Sequence, residues 1–200
     1  MLVHRGRAFI IHGWTGWPEE AWRPRVKAQL EDLGFEVHVP KMNVSWGSFY
    51  YPEMREWVAT IEKSVVTPDE KTIFVAQSLG AVATLRYIEG LPKSERVGGA
   101  VLIAGFTHRL IYPQLTSFFE TPIDYDAIRG RCSKFEFIHC LRDTQVPVEE
   151  VHRLQSRLGG NVTITEHGNH FRHQDGVREL PEALAAVMRI KEIKMAVINR

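Results

Sequence analysis

Cysteine is scarce in this sequence, which has two among its 200 residues. Two cysteines are too few for a disulfide framework. Cys132 and Cys140 could pair with each other, but both flank or lie within the apolar run from Phe135 to Cys140, so we expect reduced thiols in the core. A chain of this length buries roughly 70% of the surface that it exposes when unfolded, so its core does not depend on disulfides or structural metals.

An excess of either charge is also missing. Lysine and arginine together number 25, aspartate and glutamate number 24, and the formal net charge is +1. The basic residues form no block along the chain. Since a dedicated nucleic-acid binder must neutralise several phosphates, we expect no nucleic-acid partner.

Long hydrophobic runs are absent from the sequence as well. The longest apolar stretch, from Val97 to Phe106, has about half of the roughly 20 residues that a membrane-spanning helix needs. The first residues, Met1 to Arg7, lead directly into an apolar segment and show no signal-peptide cleavage site. We therefore expect no membrane partner and a cytoplasmic location.

Six short apolar runs, rich in β-branched or aromatic residues, predict six β-strands. Several of them are apolar almost throughout, which is typical of strands covered on both faces in a parallel sheet. Amphipathic helical patterns lie between the runs. This alternation predicts a single-domain α/β fold over residues 1–200, with a mainly parallel sheet, helices on both faces and little or no lid. The predicted strands are Ala8 to Ile11, Phe35 to Val39, Thr72 to Ala76, Ala100 to Ala104, Phe135 to Cys140 and Val162 to Thr165.

The stretch from Gly105 to Lys134 contains no clear strand. A connection of this length in a compact domain is usually functional, for example as a small cap over a site. An extra surface helix with aromatic anchors is an equally good interpretation. The aromatic residues of the stretch are Phe106, Tyr112, Phe118, Phe119 and Tyr125.

Ser78 follows the third predicted strand and precedes a run of small and apolar residues. A strand, a tight turn at a serine and a buried helix together form a nucleophile elbow, in which small residues two positions before and after the serine let the strand and the helix approach. Ala76 and Gly80 occupy those positions here. The alternative is a serine that caps the helix. As a nucleophile, Ser78 would need a base to take its proton and an acid to orient that base.

An acid and two histidines follow later strands in the required order. Asp143 comes just after the fifth strand and could hold an imidazole in the right tautomer, or it could be an ordinary turn residue. His167 and His170 lie in the loop after the last strand. We choose His170 as the base because the additional loop residues carry it beyond the strand end toward the cleft.

A metal site is not expected at the histidines of this loop. His167, His170 and His173 do not have the spacing of a zinc-binding HExxH motif, and no carboxylate or cysteine stands at a convincing spacing from them. The proposed chemistry needs no cofactor. We interpret three other histidines as structural or exposed: His12, His139 and His152.

An oxyanion hole would complete the site, because backbone N–H donors must meet the negative charge that develops on an acyl oxygen. The first strand ends in a loop with glycine at Gly13, which lets a backbone amide come close to the reacting carbonyl. We expect the donors to be the amides of Trp14 and Leu79. If the second and third strands pair on opposite sides of the first, the strand order reverses there, and ligands bind at such a switch point.

Together these segments resemble the α/β-hydrolases, and more narrowly the small lidless serine hydrolases grouped with retinoblastoma-binding protein 9 and its bacterial relatives. The resemblance runs from about Ala8 into the last helix and implies Ser78 as nucleophile, Asp143 as acid and His170 as base. Two residues depart from the family pattern: Ala76 replaces the usual glycine, and Gln77 stands where relatives often carry histidine. The segments that carry the resemblance are His12 to Trp17, Ala76 to Gly80, Asp143 to Pro147 and His167 to Phe171.

The function expected from these residues is hydrolysis of small acyl substrates, most of all carboxylic esters, through an acyl-enzyme. Amide or peptide hydrolysis uses the same triad. The alternative is a protein-interaction module on a hydrolase scaffold, with a protein partner and little catalytic activity. Each candidate for the substrate pocket could instead anchor its loop to the core. These candidates are Trp14, Trp17, Trp46, Phe106, Phe118 and Phe119.

Overall fold

The structure, a computed structural model, describes residues 5–43 and 51–193. Trp46, one of the predicted pocket residues, lies outside these ranges. Six strands form one sheet in the order β2-β1-β3-β4-β5-β6, and every neighbouring pair is parallel. The predicted α/β fold with a parallel sheet is therefore confirmed. The strands are β1 (Gly6–Ile11), β2 (Phe35–His38), β3 (Thr72–Gln77), β4 (Gly99–Ile103), β5 (Phe135–Cys140) and β6 (Asn161–Thr165).

Helices connect the strands and begin and end at residues that favour those positions. Pro181 opens the last helix, where its missing N–H costs nothing. Asp124 caps another by accepting a hydrogen bond from the Ala127 amide at 2.9 Å. The α-helices are α1 (Arg23–Asp32), α2 (Met54–Val65), α3 (Leu79–Gly90), α4 (Tyr125–Arg131), α5 (Glu149–Leu158) and α6 (Pro181–Ile190). Two short 3-10 helices span Pro113–Phe119 and His173–Asp175.

The core lies on both faces of the sheet. Successive side chains of a strand point to opposite faces, so Phe74 belongs to one apolar cluster while Ile73 and Val75 belong to the other. Helices α2, α3, α4 and α5 contribute to the first cluster, and α1 and α6 contribute to the second. All six residues of β3 are buried. Burial from both sides explains why the central strands read as continuous apolar runs rather than alternating ones.

The strand order reverses at β1, which is the condition given above for a switch point. β1 pairs with β2 on one side and with β3 on the other. The loops that leave β1 and β3 consequently diverge to opposite faces and open a crevice at the carboxyl end of the sheet. Ser78 directly follows β3, and Trp14 follows β1, so both stand at this crevice.

The stretch between β4 and β5 combines features of both interpretations given above. It contains one 3-10 helix and α4, and Phe118 anchors it in the core with no exposed surface. Arg86 of α3 holds it further, because its guanidinium donates to the carbonyl oxygen of Phe118 at 2.8 and 2.9 Å and to that of Thr121 at 2.5 Å.

Over the described ranges, no helix has the length and apolar character needed to cross a membrane.

Candidate active site

Ser78 occupies a sharp turn between β3 and α3. Its backbone torsions are φ 54° and ψ −124°, a combination that residues with a side chain rarely adopt. The turn is stabilised from both sides: the Ser78 amide donates to the Ile103 carbonyl oxygen at 2.8 Å, and the Ser78 carbonyl oxygen accepts from the Ala81 amide at 2.9 Å. This is the geometry expected of a nucleophile elbow, with the hydroxyl at the end of a buried strand and the start of a helix.

Small residues around Ser78 let the helix approach the first strand. A Cβ atom at Gly80 would lie only 2.5 Å from the His12 carbonyl oxygen and 2.7 Å from that of Ile11. Gly13 is also tight, because a Cβ atom there would come within 3.1 Å of the Ser78 Cβ. Ala76 is fully buried in the position where glycine is usual, and its methyl group is accommodated.

Ser78, His170 and Asp143 form a continuous hydrogen-bonded series. The His170 Nε2 lies 2.9 Å from the Ser78 Oγ, and the His170 Nδ1 lies 2.8 Å from the Asp143 Oδ2. The carboxylate accepts only, so it fixes the proton on Nδ1 and leaves the Nε2 lone pair facing the serine hydroxyl. The other oxygen, Oδ1, accepts from the amides of Gln145 at 2.8 Å and Val146 at 3.0 Å. All three residues selected from the sequence are thus brought together.

The loops that carry the acid and the base are joined by Asn169. Its Oδ1 accepts from the Thr144 amide at 2.9 Å, and its Nδ2 donates to the Asp175 Oδ1 at 3.0 Å. Asn169 has φ 46°, a left-handed conformation that asparagine tolerates better than most residues. This side chain therefore links the loop of Asp143 to that of His170 at the same time as its backbone makes the turn.

A second histidine, His139, lies close to the acid. It is fully buried near the end of β5, and its Nε2 is 3.0 Å from the Val146 carbonyl oxygen and 3.9 Å from the Asp143 Oδ2. Because the Val146 oxygen can only accept, Nε2 carries the proton. Burial lowers the pKa of His139. The ring therefore acts as a neutral donor that holds the loop of the acid in place.

His12 is also buried, and its two ring nitrogens have defined roles. Nδ1 lies 2.8 Å from the Gly13 carbonyl oxygen and must donate to it, while Nε2 accepts from the Met42 amide at 3.0 Å. Burial lowers the pKa of His12 to about 4. The Gly13 carbonyl oxygen accepts a second bond from the Gly16 amide at 3.1 Å. The neutral imidazole thus fixes the peptide unit that joins Gly13 to Trp14.

Because His12 is kept neutral when folded, we expect its protonation to destabilise the fold at acidic pH. Between about pH 6.5 and pH 4 the unfolded chain takes up a proton at this position that the folded chain does not, so the free energy of unfolding falls as the pH falls. The difference between the two pKa values corresponds to roughly 3 kcal/mol. Urea unfolding of wild type and His12→Asn at pH 6.5, 5.5 and 4.5 should show a weaker pH dependence in the variant.

The control for this measurement is His152→Asn, which changes an exposed histidine of α5. It should keep the pH dependence of wild type. His139 stays in all three proteins and contributes to the pH dependence in the same direction, so His12→Asn removes only part of it. Equal pH dependence in His12→Asn and wild type would contradict the neutral, buried state of His12.

A cavity of about 220 Å³ opens beside Ser78 and His170. Its apolar lining comes mainly from the segment between β4 and β5. Its polar lining comes from the loop after β1, the first residue of α1, the last residue of β3 and the loops after β5 and β6. The apolar side chains are those of Leu79, Phe106, Leu110, Tyr112, Leu115 and Val146. The charged and amide side chains are those of Glu20, Arg23, Gln77, Gln145, Arg172 and Gln174.

Some of the predicted pocket residues line the cavity in the structure, and others do not. Trp14 and Phe106 line the cavity. Phe118 is fully buried instead and meets the ring of Trp57 edge-on, with 5.9 Å between the ring centroids. Phe119 packs on Phe106 at 5.8 Å, behind the cavity wall.

Trp17 is not among the residues that line the cavity beside Ser78. Its ring lies under the Lys41 ammonium, 4.2 Å from the nitrogen to the ring centroid, and its carbonyl oxygen accepts from the Arg23 Nε at 2.8 Å. These contacts favour anchoring of the loop, which is the alternative considered for each aromatic residue.

Several lining residues were missed by the sequence reasoning, and they differ in the signal that the sequence offers. Leu110, Tyr112 and Leu115 lie in the segment between β4 and β5, whose aromatic content was the available signal. Arg23 gave no signal, because arginine is normally exposed and this one is the first residue of an amphipathic helix. Only 2% of it is exposed, and burial lowers its pKa to about 10.

The other loop histidines lie away from the hydrogen-bonded series. His167 is exposed, and its carbonyl oxygen accepts from the Thr165 hydroxyl at 2.8 Å. The His173 ring contacts the Arg178 guanidinium at the rim of the cavity. Within residues 5–43 and 51–193, no three histidine, cysteine, aspartate or glutamate side chains are grouped as they would be around a metal ion.

Comparisons with known proteins find relatives that match most of the chain. YdeN of Bacillus subtilis (strain 168) is 28% identical over 176 residues, which cover 88% of this chain and 90% of YdeN. The crystal structure of the ydeN gene product superposes with a TM-score of 0.83, at 26% identity, over 94% of this chain and 99% of that one.

Two further proteins are similar to this chain, one in sequence and one in fold. The serine hydrolase RBBP9 of Rattus norvegicus is 24% identical over 85% of this chain and 84% of its own length. Est1E of Butyrivibrio proteoclasticus superposes with a TM-score of 0.71 at 12% identity, over 96% of this chain and 90% of that one, which shows likeness of fold. The model of the serine hydrolase family matches residues 8–189, and the chain therefore belongs to the serine hydrolase family.

Proposed function

We propose that this protein hydrolyses small acyl substrates, carboxylic esters above all, through an acyl-enzyme on Ser78. The observation that carries the proposal is the pair of hydrogen bonds at His170, 2.9 Å to the Ser78 Oγ and 2.8 Å to the Asp143 Oδ2. A serine hydroxyl is a weak nucleophile, so a base within hydrogen-bond distance and an acid that orients the base are what the reaction needs.

The reaction would proceed in two halves. His170 Nε2 takes the proton of the Ser78 hydroxyl as Oγ attacks the carbonyl carbon, and the imidazolium is stabilised by the Asp143 carboxylate. The imidazolium then gives the proton to the leaving alcohol, and the acyl group stays on Oγ as an ester. In the second half His170 takes a proton from water, which attacks the acyl carbon, and returns that proton to Oγ as the acid leaves.

The amides of Trp14 and Leu79 are the proposed oxyanion hole. Leu79 is the first residue of α3, where backbone N–H groups have no partner within the helix. The carbonyl of the peptide unit before Trp14 is occupied by His12 and Gly16, and in a trans peptide the N–H points the opposite way. Both features support donors directed at the reacting carbonyl oxygen.

The cavity favours short substrates. Its volume of about 220 Å³ is below the roughly 300–1,000 Å³ of drug-sized ligand sites, and much of its lining is apolar. An acyl group of a few carbons fits such a space, while a long acyl chain would extend into solvent. Amide hydrolysis by the same residues and the cytoplasmic location inferred from the sequence stay predictions.

The proposal is tested by treating the wild-type protein with a fluorophosphonate and mapping the adduct by mass spectrometry. We expect one adduct, on the peptide that contains Ser78. Among p-nitrophenyl esters, we expect kcat/KM to be highest for acetate to butyrate and to fall for longer chains. Folded protein that forms no adduct and hydrolyses none of these esters would overturn the proposal and favour an interaction module.

A further inference from the structure

Gln77 and Arg23 form a buried connection between the base and the loop after β1. The Gln77 Nε2 donates to the His170 carbonyl oxygen at 2.7 Å, and the Gln77 Oε1 accepts from the Arg23 Nη1 at 2.9 Å. Arg23 Nε in turn donates to the Trp17 carbonyl oxygen at 2.8 Å. The exposed fractions are 3% for Gln77 and 2% for Arg23, so both side chains are almost fully shielded from bulk water.

The donors and acceptors of this series allow one arrangement only. Arginine has no acceptor, so the Gln77 oxygen must face Arg23, and a backbone carbonyl has no donor, so the Gln77 nitrogen must face His170. A side chain at this position therefore needs one acceptor and one donor at opposite ends. Glutamate would present a carboxylate oxygen to the His170 carbonyl, and leucine would satisfy neither partner.

The backbone around His170 requires such a restraint. Asn169 and Phe171, on either side of it, have φ values of 46° and 58°. A bulky residue such as phenylalanine adopts this left-handed conformation only where surrounding contacts impose it. Gln77 directly precedes Ser78 in the chain. Its bond to the His170 carbonyl therefore fixes the position of the base relative to β3, the strand that leads to the nucleophile.

The charge of Arg23 adds to this argument. Its nearest carboxylate oxygen is that of Glu20, 3.8 Å from Nη2, and its closer partners are neutral oxygens. A buried guanidinium with weak neutralisation is costly compared with an apolar side chain of similar size. The cost is understandable if the guanidinium orients Gln77 and the loop of Trp17.

We propose that Gln77 and Arg23 are positioning residues, which hold the His170 backbone and the loop after β1 in the geometry that the reaction needs. The inference rests on the proposed function. Because a displacement of the base of about 1 Å lowers the rate of reaction by up to about 100-fold, the effect should fall on kcat rather than on KM.

The test compares Gln77→Leu and Gln77→His with wild type, using p-nitrophenyl butyrate for kcat and KM and the fluorophosphonate for the rate constant of labelling. We expect Gln77→Leu to lower kcat and the labelling rate constant by about 30- to 100-fold, with KM changed by less than about threefold. Neutral histidine has one donor and one acceptor, so Gln77→His should recover most of the lost rate.

Two further variants test whether a loss of rate is specific to these bonds and whether Gln77 and Arg23 act together. Gln155→Leu removes an amide-to-carbonyl hydrogen bond outside the site, at 3.2 Å to Gly160, and should leave kcat unchanged. Arg23→Met combined with Gln77→Leu should be little slower than Gln77→Leu alone, since both act through one series.

The outcomes separate the two proposals. If wild type is labelled and folded Gln77→Leu is labelled at the same rate, the positioning role is wrong while the proposed function stands. An effect of Gln77→Leu on KM alone would likewise overturn positioning. If wild type is not labelled at all, the proposed function itself fails. Melting temperatures of all variants show which of them are folded. The comparison of Gln77→Leu with Gln77→His tests the idea even if Arg23→Met does not fold.

Discussion

Ser78→Ala and His170→Ala are each expected to lower kcat for p-nitrophenyl butyrate by about 10⁴-fold or more, and the double variant should be little slower than either one. The reason is that the two side chains act as one unit, joined by the 2.9 Å contact between the Ser78 Oγ and the His170 Nε2. Without the base the hydroxyl keeps its proton, and without the hydroxyl the base has no nucleophile to activate. Both single variants should also fail to form the fluorophosphonate adduct.

Two matched variants make this result specific. His167→Ala changes an exposed histidine in the same loop, three residues before the base, and should keep kcat within about twofold of wild type. Ser156→Ala removes a hydroxyl that donates to the Arg153 carbonyl oxygen on α5, and it too should keep the adduct at Ser78. Loss of activity in His167→Ala with retention in His170→Ala would show that the base is His167 and that the assignment to His170 is wrong.

The choice between His167 and His170 shows which features of the site can be predicted from the sequence and which cannot. The alternation of strands and helices predicts that both histidines follow the last strand, and loop length favours His170. The reason that His170 reaches Ser78 is a turn with positive φ at Asn169 and Phe171, which no periodic pattern reports. The order of the motifs along the chain was enough to name the residue, but not to explain its position.

Pocket residues were harder to predict than Ser78, His170 and Asp143. Phe106 and Phe118 both lie in the aromatic-rich stretch after β4, yet Phe106 lines the cavity and Phe118 is fully buried against Trp57. Their sequence surroundings are alike, and only the path of the chain over α3 separates them. That path depends on Arg86, whose bonds to carbonyl oxygens more than 30 residues away leave no local signal.

The connection through Gln77 and Arg23 could not be predicted from the sequence, because its hydrogen-bond partners are also distant along the chain. Gln77 could be recognised as a departure from the family pattern, but its partners stand 54 and 93 residues away along the chain. Hydrogen bonds of this range follow from the reversal of strand order at β1, which brings the start of α1, the end of β3 and the loop after β6 to one crevice.

Gly80→Ala is expected to lower both the free energy of unfolding and the activity. The added Cβ atom would lie 2.5 Å from the His12 carbonyl oxygen and 2.7 Å from that of Ile11, and backbone at the end of a central strand cannot yield as a flexible side chain can. Overpacking of this kind costs about 1 to 3 kcal/mol, and we expect the upper part of that range. Relief of the clash would move α3 away from β1, and hence Leu79 away from Trp14.

Gly90→Ala is the matched control, since it makes the same change at the other end of α3. Apart from its chain neighbours and the backbone of its own helix, no atom lies within 4 Å of the position of its Cβ. Since glycine is a poor helix former, this variant should be about 0.5 to 1 kcal/mol more stable than wild type. Urea unfolding measures both variants, and kcat is compared at a temperature where each is folded. A Gly80→Ala protein as stable and active as Gly90→Ala would show that the close approach at the elbow is not needed. A stable but slow Gly80→Ala protein would show that the oxyanion donors, and not the fold alone, depend on it.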